Sequence, residues 1–117
     1  MKKFYHLSTC DTCKRIIKEL EPGKDIEMQD SKTSPIDAET LDILYAHTKS
    51  YESLFNKRSK LYKEKGLKDK ILTETDYRNL ILEHYTFLKR PVFINGDQIF
   101  IGNSKNVIAE AKSSLHN

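Results

Sequence analysis

The chain has little cysteine, and the little it has is gathered in one place. Only two of its 117 residues are cysteine, too few for the disulfide framework on which very small secreted domains rely. A chain this long buries enough apolar surface to fold as one domain without such a staple. Charge of one sign is also lacking, with 20 Lys and Arg against 17 Asp and Glu. The basic residues are interspersed with acids, which argues against direct nucleic-acid binding. No apolar run approaches membrane-spanning length, and Phe4-Tyr5-His6-Leu7 behind Lys2-Lys3 is too short and polar for a signal sequence. A cytoplasmic protein without a membrane partner is expected. With three prolines and four glycines, there is no low-complexity tract, repeat or linker. In a reducing cytosol, two cysteines spaced as Cys10-Asp11-Thr12-Cys13 point to reversible redox chemistry or metal binding rather than a permanent bridge.

What is present reads as an ordered set of elements. Lys3 to Leu7 has the composition of a short buried strand. Cys13, Ile16, Ile17 and Leu20 stand at i, i+3, i+4 and i+7, which predicts a helix ended by Pro22-Gly23. A weaker strand is expected over Asp25 to Gln29. Ser34-Pro35-Ile36-Asp37 supplies an N-cap candidate, Pro at the first helical position and an acid at the third, so a helix follows from about Ile36 to His47. Tyr51 to Asn56 and Leu61 to Gly66 predict short helical pieces. Thr73-Glu74-Thr75-Asp76 repeats the capping signature ahead of Tyr77, Leu80, Ile81 and His84. Asn95-Gly96-Asp97 between Val92-Phe93-Ile94 and Gln98-Ile99-Phe100-Ile101 is a strong hairpin signal. Ser104 caps a last helix carrying Val107, Ile108, Ala111 and Leu115. The expected class is α/β, a single domain over residues 1–117, in the order β-α-β … β-β-α with residues about 34–86 inserted as an all-helical block.

The cysteines divide by position. Cys10 falls just before the first helix, where free backbone N–H groups and the helix dipole favour an anion, and Lys14 and Arg15 add positive charge. Cys13 lies in the first turn on the apolar face. This makes Cys10 the nucleophile and Cys13 the resolving thiol. Zinc would need two further ligands, and His6, His47, His84 and His116 offer no paired spacing, so no metal is assigned.

Cys10-Asp11-Thr12-Cys13-Lys14, Lys57-Arg58-Ser59-Lys60, and Leu88-Lys89-Arg90-Pro91-Val92 followed by a hairpin and Ile101-Gly102 together resemble the arsenate reductase and Spx family. The resemblance spans nearly the whole chain in the family's order. It implies a thioredoxin-like mixed sheet with a helical insertion. It also implies that His6 helps keep Cys10 ionised, that Arg90-Pro91 is a cis bond facing Cys10, and that Arg58 and Arg90 contact an oxyanion. Where the family's arsenate reductases place a third arginine, this chain has Asn103, and they generally lack a second cysteine at the spacing of Cys13. The first expectation is therefore a thiol-redox enzyme with no bound cofactor, reduced by glutathione or by thioredoxin, whose partner is a small thiol or a thiol-reducing protein. A Spx-like redox-sensing regulator that binds RNA polymerase is the second, and a true arsenate reductase the third.

Overall fold

A computed structural model describes residues 1–116. It divides into two compact units, one formed by Met1–Ser34 with the chain from Arg90 onward, the other by Pro35–Lys89.

The first unit is a four-stranded mixed sheet. Strands β1 (Lys2–His6), β2 (Glu27–Asp30), β3 (Val92–Asn95) and β4 (Gln98–Ile101) stand in the order β2-β1-β3-β4. β1 pairs with β2 in parallel and with β3 antiparallel, and β3 pairs antiparallel with β4. The parallel pair needs a crossover, which α1 (Asp11–Leu20) supplies; α5 (Lys105–His116) closes the unit. Strand periodicity puts Phe4, Phe93 and Phe100 in one cross-strand row, with Phe4 to Phe93 at 5.7 Å and Phe93 to Phe100 at 5.8 Å between ring centroids. Ile16 and Leu20 of α1, Ile26, and Ile108 and Ala111 of α5 join Phe4 and Phe93 in one core. The apolar stripe read from the spacing of α1 is thus a packed face, with Ile17 at its edge.

Helical order in the second unit is more broken. It contains α2 (Ala38–Thr48), α3 (Lys60–Glu64) and α4 (Glu74–Glu83), with 3-10 turns at Glu52–Leu54, Leu67–Asp69 and Tyr85–Phe87. Its core is centred on Phe55, which stacks on Phe87 at 5.0 Å and meets the rings of Tyr62 and Tyr77 edge-on at 5.6 and 5.1 Å. A short ladder not foreseen in the sequence crosses this core: Lys89 donates to the Leu54 carbonyl, Phe55 bridges to Leu88, and Asn56 donates to the Phe87 carbonyl.

Several element ends differ from expectation for local reasons. Helix α2 is capped by Asp37, whose carboxylate accepts the Thr40 N–H at 2.7 Å. Ser34 is instead used by the turn after β2, where its N–H reaches the Asp30 carbonyl and its own carbonyl accepts from Gln29 Nε2. Strand β2 begins at Glu27, later than its composition suggests, because the turn closed by the Ile26 N–H on the Gly23 carbonyl occupies the residues before it. In the hairpin, Asn95 belongs to β3 opposite Gln98, which leaves Gly96 and Asp97 as the loop; Gly96 takes φ 64°, open to glycine at no steric cost. The capping box at Thr73 forms as read: Thr73 Oγ1 accepts the Asp76 N–H, and the Asp76 carboxylate accepts the Thr73 N–H. Thr73→Ala is expected to lower stability by about 1 kcal/mol, measured by urea denaturation. A variant as stable as the parent would show that α4 does not depend on this cap.

Candidate active site

Cys10 is set by the chain that precedes it. After β1, Leu7 is buried and its carbonyl accepts the Cys10 N–H at 2.9 Å, turning the chain so that Cys10 becomes the N-cap of α1. Its backbone is extended, φ −94° and ψ 116°, and its carbonyl accepts the Lys14 N–H as the first helical bond. The Cys10 side chain makes no formed capping hydrogen bond, so the helix N-terminus acts on the sulfur as a field of aligned dipoles. Burial raises the Cys10 pKa, but the Cys13 N–H and then the Arg90 guanidinium act against it, and the net result lies below the ordinary thiol value.

Cys13 sits one turn deeper. It is fully buried on the face of α1 that also buries Ile16 and Leu20. Burial dominates there and, with the nearby Cys10 charge adding to it, pushes the Cys13 thiol up to about 11. Both cysteines are free thiols. Two groups of the same type, three residues apart, are thus driven in opposite directions by environment alone.

The third member of the group comes from across the sheet. Arg90 precedes Pro91 through a cis peptide bond, and Pro91 leads directly into β3. Arg90 is half-buried, and its Nη1 is enclosed with no hydrogen-bond partner. A guanidinium beside a thiol, with donor capacity left over, suits an oxyanion or a thiolate. The Pro91 carbonyl is occupied by the Gly102 N–H at 2.9 Å; Gly102 adopts φ 92° at this close approach. Asn103 follows at once and is exposed.

The remaining candidates lie differently. His6 ends β1, and its register partner in β2 is Asp30. The Asp30 carboxyl is held low by the Ser8 hydroxyl first, by the Lys32 N–H, and in smaller part by His6. Ser8 and Asp30 were not picked out in the sequence, since only the β1–β2 register relates them. Arg58 belongs to the helical unit, exposed on the turn before α3, with its N–H donating to Asn56 Oδ1 at 3.1 Å. Among the described residues no group of three or more His, Cys, Asp or Glu is placed to hold a metal ion, and no helix is long and apolar enough to cross a membrane.

Several solved structures share this architecture. A protein of Staphylococcus aureus COL, solved in solution, is 30% identical, with a TM-score of 0.75 over 94% of this chain and 97% of that one. A protein of Brucella melitensis described as related to arsenate reductase is 27% identical, with a TM-score of 0.67 over 90% and 88%. The arsenate reductase of Vibrio cholerae, 22% identical with a TM-score of 0.74 over 94% and 96%, shares the fold. No curated protein matches the chain. The mixed sheet with α1 crossing between its parallel strands is the thioredoxin-like arrangement of these structures. The model of the ArsC family matches residues 5–111, a span that takes in both cysteines, Arg90-Pro91, the end of β1 and all of β2, β3 and β4; the chain belongs to the ArsC family.

Proposed function

We propose that this protein is a thiol–disulfide redox protein, a reductase in which Cys10 is the nucleophile and Cys13 resolves. The observation that carries this reading is the opposed environment of the two thiols, one held low at a helix N-terminus beside Arg90 and the other buried and held high. In the proposed cycle, the Cys10 thiolate attacks one sulfur of a small disulfide, forming a mixed disulfide and releasing the other half as a thiolate that takes up a proton. Cys13 gives up its proton and attacks the Cys10 sulfur, closing the Cys10–Cys13 bridge and expelling the second half. The bridge returns to two thiols with two electrons and two protons from glutathione or a thioredoxin, in the cytoplasm where such reductants are kept. Arg90 is the proposed contact for an anionic part of the substrate; the family resemblance implies an oxyanion role for Arg58 in the helical unit.

Iodoacetamide alkylation across pH tests the reading. A fast phase with a midpoint below about 8.5, the value of a free thiol, is expected. Cys13→Ser should keep that phase and Cys10→Ser should lose it. Arg90→Met is expected to raise the Cys10 pKa, because a guanidinium that favours the thiolate is lost. At neutral pH less of the thiol is then ionised, partly offset by the greater intrinsic nucleophilicity of the thiolate, so alkylation should be slower than in the unmodified protein. Survival of the fast phase in Cys10→Ser would sink the assignment.

A further inference from the structure

The helical unit contains a titratable side chain that the chemistry above does not use. His84 ends α4, and its ring stacks on Tyr85 at 4.6 Å. Its Nδ1 accepts the Thr86 N–H at 3.1 Å, capping the 3-10 turn Tyr85–Phe87, and lies 3.0 Å from Thr86 Oγ1. Thr86 in turn holds the segment on which Arg58 stands. Its Oγ1 accepts from the buried Ser59 Oγ at 3.1 Å, and its carbonyl accepts from Asn56 Nδ2 at 3.2 Å. Asn56 then uses its other side-chain atom, Oδ1, to accept the Arg58 N–H. The backbone of Asn56 is pinned as well, its N–H on the Phe87 carbonyl and its carbonyl receiving the Ser59 N–H. An unbroken series of hydrogen bonds thus runs from the His84 ring to the backbone of Arg58.

We propose that His84 is a positioning residue for Arg58, acting through Thr86 and Asn56 as a latch that opens when the ring takes up a proton. The direction follows from hydrogen-bond inventory. To accept the Thr86 N–H, Nδ1 must present its lone pair, so the ring is neutral with its proton on Nε2. Protonation places a donor where the Thr86 N–H already donates. That bond is lost, the 3-10 turn loses its cap, and the Thr86 carbonyl no longer holds Asn56 in place. The surroundings supply little competing charge. Glu83, the neighbour in α4, is paired with Lys65 at 3.3 Å; Lys57, beside Arg58, is paired with Glu52; Tyr85 contributes a ring face. Among the described residues no ion pair reaches the His84 ring. The effect on a bound anion rests on the reading of Arg58 as an oxyanion contact: the turn is ordered above the titration of His84 and loosened below it.

Two-dimensional ¹⁵N NMR of the full chain tests the latch. The amide resonance of Arg58 is expected to move with pH along the same curve as the carbon-bound ring protons of His84. In His84→Asn, a side chain that still accepts at a cap but does not titrate, the Arg58 amide should stop moving over that range. In Asn56→Ala, which removes the amide that joins the Thr86 carbonyl to the Arg58 N–H, the His84 ring should titrate while Arg58 no longer follows. An Arg58 amide that stays still as wild-type His84 titrates, or that moves unchanged in His84→Asn, overturns the proposal. Cys10 alkylation run on the same samples keeps the two readings apart, because loss of the fast phase in the unmodified protein would count against the redox assignment and leave the latch result standing.

Discussion

Cys13→Ser, incubated with native cell lysate, is expected to retain thiol partners covalently on Cys10, and Cys10→Ser to retain none. The effect is close to all-or-none because the two thiols do different things. At pH 7 a thiol held at about 11 is ionised in only about one molecule in ten thousand, so Cys13 does not compete for the first attack. Part of what holds it there is the charge on Cys10. That charge vanishes once Cys10 enters a mixed disulfide, and Cys13 becomes easier to ionise at the moment when it is needed. Serine cannot make the second attack, so the adduct persists. Recovery of glutathione or a thioredoxin by reducing-agent elution would identify the reductant. Recovery of RNA polymerase without a mixed disulfide would favour a Spx-like regulator over the reductase. Equal retention by Cys10→Ser would remove the basis for both cysteine roles.

Arsenate turnover, assayed with glutathione and glutaredoxin, is expected to be weak in the unmodified protein and to rise about ten- to a hundredfold in Asn103→Arg. Arsenate near neutral pH carries up to two negative charges, and bringing it to a thiolate sets like charges against each other in a partly desolvated site. Convergent cations must offset that repulsion. Arg90 is beside Cys10 with Nη1 unsatisfied, which is one such cation. By the family resemblance, Asn103 falls where arsenate reductases carry a further arginine, and an asparagine donates hydrogen bonds without charge. The missing charge-assisted contact is worth about 1.5 to 3 kcal/mol, from which the expected gain follows. The loop accepts the change without repacking, since Asn103 is exposed and the backbone before it is held by Gly102 on Pro91. Efficient turnover by the unmodified chain would make arsenate reduction the leading function.

Sequence alone determined the features that close over a few residues. The apolar stripe of α1, the Thr73–Asp76 capping box, the Ser104 cap, which accepts the Val107 N–H at 3.2 Å, and the hairpin around Gly96 all depend on neighbours within about four positions. Steric and hydrogen-bonding preferences act at that range without help from the rest of the chain. Even there, competition between adjacent groups was not legible: Asp37 caps α2, while the backbone of Ser34 is drawn into the turn after β2 by Asp30 and Gln29. The position of Cys10 just ahead of a helix was readable, and with it the tendency toward a thiolate.

Tertiary structure decided everything that joins distant segments. That His6 stands opposite Asp30 depends on the β1–β2 register, which no local pattern specifies. Arg90 reaches Cys10 across 80 positions of sequence because β3 lies beside β1 in the sheet. Asn56, Thr86 and His84 looked like ordinary polar residues until the ladder between residues 54–56 and 87–89 brought them together. The physical reason is common to all three cases. A side chain's electrostatic environment is set by what packs within a few ångströms of it, and for residues far apart in sequence only the folded chain defines that set.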